Sequence, residues 1–236
     1  MENYISTKKI FLIKVGVNLY IELKNVTKVI KKHEVLKDIS IHMESGKIYG
    51  FQGENGSGKT MLMRAICGLI NVSTGSVDIN GEILGKDIDF PKSLGVLIEH
   101  PGFIPSYTAF KNLKYLAEIK KIITNEDIRA TLQLVGLNPD DNKKVRAYSL
   151  GMKQKLGIAA AIMENPELII LDEPFNGLDE ASVVNLNQIL ADLKTDNRLI
   201  VISCHDRDKL NSLSDEIYRI DNGQVIEHII AENRND

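Results

Sequence analysis

The segment Gly53–Thr60, GENGSGKT, constrains this chain more than any other, because it joins the short apolar run Ile48–Phe51 to the helix-like stretch Met61–Ile70. Glycines at 53, 56 and 58 open backbone conformations closed to other residues, so successive N–H groups can turn inward around an anion. Lys59 adds a point charge, and the Thr60 hydroxyl offers an oxygen to a hard cation. The helix that follows presents its positive end to the same place. A strand, a glycine loop and a helix in that order form a cradle for nucleotide phosphates. Gly53, Glu54, Asn55, Gly56, Ser57, Gly58, Lys59 and Thr60 are its expected contacts.

A second element answers the first. Leu168–Leu171 is four consecutive apolar residues, the pattern of a parallel strand buried on both faces, and it ends in Asp172 and Glu173. Asp172 is placed to hold Mg²⁺ together with Thr60. Glu173 is placed to polarise a water attacking the terminal phosphate, since phosphoryl transfer leaves a protein mainly positioning and electrostatics to perform. Between the two elements lies Ser149–Gln154, SLGMKQ, followed by Leu156, Ala159, Ala160 and Met163 at helical spacing.

With these three motifs the chain resembles the ATP-binding subunit of an ABC transporter, over nearly everything from Tyr20 to Ile226. The resemblance implies a P-loop NTPase core of α/β class, with a mainly parallel central sheet, an antiparallel β subdomain and an inserted helical subdomain. It implies ATP and Mg²⁺ as cofactors and an ATP-bound homodimer, or pairing with a second ATPase subunit. In that family a signature serine and glycine bind the γ-phosphate held by the opposite protomer. Here Tyr148–Met152 reads YSLGM, so Ser149 and Gly151 are the matching residues, while Leu150 and Met152 depart from the usual glycine and glutamine. Lys153–Met163 is the expected signature helix, its positive end aimed at the partner's ATP. Phe175–Asp179, FNGLD, matches the loop that reaches across the dimer, with Asp179 as its contact. His205, at the end of the buried-strand run Leu199–Cys204, matches the histidine that contacts the γ-phosphate and steadies Glu173.

Two departures bear on function. In Leu94–Phe103, LGVLIEHPGF, Glu99 stands where the family has a glutamine that senses Mg²⁺ and links nucleotide state to the membrane subunit. Glutamate also offers an oxygen to the metal, but adds a negative charge beside Asp172 and Glu173. The stretch Asn25–Leu36, where an aromatic usually stacks on adenine, holds none. Ile30 or Val29 takes that place, and GTP is expected to compete with ATP. The IEHPG segment and YSLGMKQKLGIA together resemble the branch of bacitracin-resistance and lantibiotic-immunity exporters.

Composition fits a globular subunit. At 236 residues and 43% hydrophobic content the chain can bury a sizeable core. Its net charge of −3 comes from 29 basic against 32 acidic residues, without a dense basic run, so no nucleic-acid partner is expected. Cys67 and Cys204 lack CxxC spacing and read as buried free thiols. No stretch approaches the ~20 apolar residues of a membrane span, so transport requires a separate polytopic membrane-spanning subunit, with this chain peripheral on the cytoplasmic face.

Residues from Tyr20 to Glu82 read as β-rich, with Asn80-Gly81 as a hairpin turn. The helical subdomain is expected at about 91–162, with Ala109–Ile123 and Glu126–Val135 as amphipathic helices. Phe103, Ile104, Tyr107 and Phe110 are candidates for the surface that docks the membrane subunit. Residues 1–17 form an N-terminal extension ahead of the domain at 18–236, open to reading as an edge strand, an unstructured arm or an upstream translation start. The expected function is an ATP-hydrolysing subunit that powers a transporter, an exporter of a peptide antibiotic or similar amphiphile. The alternative is a soluble ABC-type ATPase acting on ribosomes or in DNA repair. Against that alternative, the chain carries one set of motifs, and no long coiled coil interrupts Thr60–Ser149.

Overall fold

The computed structural model describes residues 19–99 and 102–231; the N-terminal extension at 1–17 lies outside them. In chain order the strands and helices are β1 Tyr20–Ile30, β2 His33–Glu44, β3 Ile48–Gln52, α1 Lys59–Ile66, β4 Thr74–Ile79, β5 Glu82–Ile83, β6 Leu94–Leu97, α2 Ala109–Lys120, α3 Asn125–Leu134, α4 Leu150–Ile162, β7 Leu168–Leu171, α5 Glu180–Leu193, β8 Leu199–Cys204, α6 Arg207–Leu213, β9 Glu216–Asp221 and β10 Gln224–Ile230.

The apolar runs of β7 and β8 are continuous because both faces of these strands are covered. Ile169, Leu171, Ile200 and Ile202 join the core beneath α2–α5, while Leu168, Ile170, Leu199 and Val201 join the core shared with α1 and the antiparallel strands. That two-sided division follows the two-residue period of a strand. The sheet runs β10-β9-β3-β8-β7-β6, parallel throughout except for β10 at the edge. A second sheet, β2-β1-β4-β5, is antiparallel. Its β4–β5 hairpin turns at Asn80 and Gly81, whose φ values of 53° and 83° are those of the two-residue turn anticipated from the sequence. Asn222 and Gly223 repeat the device between β9 and β10, at φ 47° and 79°.

Helix starts carry their own signals. Thr108 caps α2 by accepting from Lys111 N–H, and Thr124 and Asp127 cap α3 reciprocally. The helical block begins at Ala109 rather than near Pro91, because Leu94–Leu97 pairs with β7 as a strand. Gly95 permits this: a Cβ there would sit 1.8 Å from the Ala161 carbonyl oxygen of α4. The signature helix also begins earlier than Lys153. Ser149 is its N-cap, its Oγ accepting from Met152 N–H at 3.2 Å, and the helix runs from Leu150.

A buried arginine fastens the entry to the central strands. Arg198 donates from Nε to the Pro166 carbonyl at 2.9 Å, from Nη1 to the Leu193 carbonyl at 2.7 Å, and from Nη2 to Asn165 Oδ1. Burial pulls its guanidinium down to about 10, with Glu167 opposing the shift. Arg198→Ala leaves buried carbonyls without donors, at a cost of about 2–4 kcal/mol. The expected result is a melting temperature lowered by about 10 °C, read by differential scanning fluorimetry.

Candidate functional site

Strands β3, β8 and β7 are neighbours, so their C-terminal ends deliver the glycine loop, His205 and the pair Asp172–Glu173 to one edge of the sheet. This is the place where open parallel sheets bind ligands. The side chains form a connected set. Thr60 Oγ1 donates to Asp172 Oδ2 at 2.6 Å, and Ser203 Oγ donates to Asp172 Oδ1 at 2.5 Å. Ser203 Oγ in turn accepts from the Glu173 N–H at 2.8 Å. Gln154 Nε2, on α4, donates to the Glu173 carbonyl at 3.0 Å.

Glu173 is held in an uncommon conformation. Its φ of 47° is left-handed, costly for a residue with a Cβ and concentrated at functional positions. One carboxylate oxygen, Oε2, lies 3.0 Å from His205 Nδ1. The other, Oε1, is buried without a hydrogen-bond partner and lies 3.8 Å from Lys59 Nζ. A buried carboxylate oxygen with a nearby cation but no hydrogen bond has room for a donor such as a water.

Lys59 is 5% exposed and donates to the Gly53 carbonyl at 2.6 Å and the Glu54 carbonyl at 3.0 Å. Gly58, at φ 113°, precedes α1 in place of a capping side chain, and no acidic residue occupies the helix's first turn. Its N–H groups and dipole therefore face the loop with no acid of the helix's own first turn against them. Gly56 is left-handed, as the glycine spacing predicts, whereas Gly53 is not. Gly53 is required by closeness instead: a Cβ there would meet the Ile220 carbonyl oxygen at 2.2 Å and Ser57 Oγ at 2.6 Å.

These residues line an open cleft of about 320 Å³ with Asn55, Gly56, Gly58, Lys59, Thr60, Met61, Asp172 and Glu173 on one side and Glu34, Val35, Lys37, Asn222 and Gly223 on the other. Hard oxygens of Thr60 and Asp172, 2.6 Å apart, suit Mg²⁺, which takes few protein ligands and completes its shell with phosphate and water.

Other sequence candidates fall elsewhere. Ile30 and Val29 are exposed near the end of β1 and do not line the cleft, where Val35 supplies an apolar contact instead. Glu99 is also outside the cleft: at φ 56° it ion-pairs with Arg64 of α1 at 2.7 Å. Ser149 and Gly151 line none of it, and Ser149 is exposed. Gly151 packs on the FNGLD loop, where a Cβ would lie 2.5 Å from the Gly177 carbonyl oxygen. Asp179 caps α5 by accepting from Ser182 N–H at 2.8 Å, and hydrogen bonds from Ser182 hold its carboxyl below the usual range. Phe103 lines a groove of about 340 Å³ with Pro105, Val145, Arg146, Leu150, Lys153 and Gln154. Tyr107 and Phe110 instead lie under Lys111 and Arg129.

Sequence reasoning missed Ser203, Gln154 and Val35. Ser203 was legible as the one hydroxyl in an otherwise apolar strand run; Gln154 and Val35 carry no local signal of their role.

Comparison with known proteins places this geometry. The model of the family described as "ABC transporter" matches residues 36–176, more than half of the chain. An uncharacterised ABC transporter ATP-binding protein of Bacillus subtilis, YybJ, is 47% identical over 87% of this chain and 94% of its own length. The bacitracin transport ATP-binding protein BcrA of Enterococcus faecalis is 38% identical over 89% of this chain and 68% of its own. The lantibiotic transport ATP-binding protein SrtF of Streptococcus pyogenes is 33% identical over 87% and 89%. Among solved structures, a dimeric post-hydrolysis state of the ATP-binding cassette MJ0796 bound to ADP and Pi superposes with a TM-score of 0.82. It is 24% identical over 90% of this chain and 99% of its own. The ATP-binding subunit of an ABC transporter gives a TM-score of 0.80 at 26% identity, over 89% of each chain.

The close approach at Gly53 yields a direct test. Gly53→Ala forces the loop away from Ile220 and Ser57, and the expected result is a loss of nucleotide affinity of about tenfold or more, with unfolding temperature little changed. Isothermal titration with ATP checks it.

Proposed function

Because this chain belongs to the ABC transporter family, we propose that it works as a cassette that hydrolyses ATP between two copies of itself, or between itself and a paired ATPase subunit, to drive a membrane-spanning partner. The observation that carries this reading is the division of the sequence motifs. Lys59, Thr60, Asp172 and Glu173 converge on one cleft with His205 bonded to Glu173 at its edge, while Ser149 and Gly151 stand outside it at the N-terminus of α4. A second copy can bring its own Ser149 and Gly151 to the phosphate that the first copy's loop holds.

Within that reading each residue has a task. The loop N–H groups and Lys59 bind the phosphates, and Thr60 and Asp172 hold Mg²⁺, which screens phosphate charge when bound. Glu173 accepts a hydrogen bond from the attacking water at Oε1, which has no hydrogen-bond partner of its own, and His205 fixes the carboxylate through Oε2. The link from Gln154 to the Glu173 backbone ties the start of α4 to the hydrolytic carboxylate. Val35 contacts the base without aromatic stacking, so GTP competes with ATP.

Among the described residues no helix is long and apolar enough to cross a membrane. In this reading membrane attachment is the task of a partner, docked at the Phe103 groove, with the cassette on the cytoplasmic face. Similarity to the bacitracin and lantibiotic transport proteins supports export of a peptide antibiotic or similar amphiphile.

Glu173→Gln preserves the loop and removes the carboxylate charge. Hydrolysis is expected to fall by about 10²-fold or more, with a dimer accumulating at saturating MgATP, seen by size-exclusion chromatography with light scattering. A monomer that hydrolyses at the parent rate would overturn the assignment. At the second position, Glu99→Gln removes the ion pair to Arg64. ATP affinity is expected to hold, while stimulation of hydrolysis by the reconstituted membrane partner changes; identical values for affinity, basal rate and stimulation would remove Glu99 from coupling.

A further inference from the structure

One cluster at the edge of the cleft has a different chemistry from the phosphate site. Glu173, Cys204 and His205 place a carboxylate oxygen, a thiol sulfur and an imidazole nitrogen within 4.8 Å of one another. Cys204 ends β8, and the chain turns there so that its Sγ accepts the Asp206 N–H at 3.3 Å. Burial pushes the Cys204 thiol up, with the Asp206 N–H opposing the shift, so an ion has to displace the thiol proton as it binds. Glu173 Oε1 has no hydrogen bond and lies 3.8 Å from the Lys59 ammonium, while Oε2 meets His205 Nδ1 at 3.0 Å, a contact that an ion between the two groups replaces. His205 is exposed and opens onto a neighbouring cavity of about 420 Å³ lined also by Gln52, Gly53, Glu54, Arg219, Ile220, Asp221 and Ile226, so an ion meets the imidazole first, with Cys204 and Glu173 behind it.

We propose that Glu173, Cys204 and His205 form a binding site for a thiophilic divalent cation of the Zn²⁺ type, and that its occupation blocks ATP hydrolysis. The donor set selects the ion. Sulfur and imidazole favour Zn²⁺ over Mg²⁺, which keeps to the oxygens of Thr60 and Asp172. Donors about 2.0–2.3 Å from a tetrahedral ion stand about 3.3–3.7 Å apart, so closure from 4.8 Å takes side-chain shifts of about an ångström. Three protein ligands leave the fourth position to water. The blocking effect rests on the reading of Glu173 as the hydrolytic carboxylate, because the ion takes that carboxylate and the imidazole beside it. The site itself rests on geometry alone.

The full chain, free of nucleotide, is titrated with Co²⁺ as a spectroscopic stand-in. The expected result is a thiolate-to-cobalt charge-transfer band in the near ultraviolet that Zn²⁺ displaces, that Cys204→Ser abolishes and that Cys67→Ser retains. In MgATP, Zn²⁺ is expected to inhibit hydrolysis reversibly on addition of a zinc-selective chelator. Cys204→Ser should leave the zinc-free rate unchanged and raise the half-inhibiting free Zn²⁺ concentration by about tenfold or more. Cys204→Ala serves the same comparison if the serine variant folds poorly. Absence of the band, or an equal band and equal inhibition in Cys204→Ser, overturns the proposal. A Cys204-dependent band without inhibition, in a protein whose Glu173→Gln variant still hydrolyses ATP, keeps the metal site and removes the inhibitory role together with the catalytic assignment of Glu173.

Discussion

Asp172 is the residue on which the functional end of this protein is assembled. Its two oxygens accept from Thr60 on α1 and from Ser203 on β8, and Ser203 in turn holds the backbone of Glu173. One carboxylate thus fixes the first helix, the adjacent strand and Glu173 relative to each other. Charge-assisted hydrogen bonds of this kind are short and about twice as strong as neutral ones. At 8% exposure Asp172 makes them out of bulk water, where their geometry is held.

The sheet makes that assembly possible. Strands next to each other lie about 4.8 Å apart, so with β8 between β3 and β7 the loop and the acids stand two strand spacings apart. A threonine at the start of a helix and an aspartate at the end of a strand can close that gap directly, and Ser203 occupies the strand between them. Division of the β7 and β8 side chains between two cores keeps the strand ends from shifting. A slip of one residue would turn each apolar set toward the other core, and would carry Asp172 away from Thr60.

Much of this was legible in the sequence, for physical reasons that differ by element. The glycine loop, the buried runs of β7 and β8 and the Asn80-Gly81 hairpin are local: each is specified by residues that touch in sequence. Strand β6 was not legible, because Leu94–Leu97 is too short to show a period and sits beside helical segments. Only its glycine marked it, through an approach to Ala161 that depends on α4 being in place. The early start of α4 carried a signal in Ser149, a good N-cap residue. Ile30 was placed by position along the strand, and the actual lining residue, Val35, depends on how β2 folds over the loop. The pairing of Glu99 with Arg64 joins residues 35 apart in sequence, and no periodicity reports such a contact.

Lys59 gives the loop a resting state of its own. With its ammonium bonded to the Gly53 and Glu54 carbonyls, the cradle is closed on its own cation before any phosphate arrives. In the proposed role, nucleotide entry would be an exchange, in which phosphate oxygens replace carbonyl oxygens around a charge that keeps hydrogen-bond acceptors in both states. The net affinity is the difference between two well-made environments and not the full attraction of an ammonium for a polyanion. In the proposed cycle the same two carbonyls would take the ammonium back as product leaves, so that the buried lysine is not left bare.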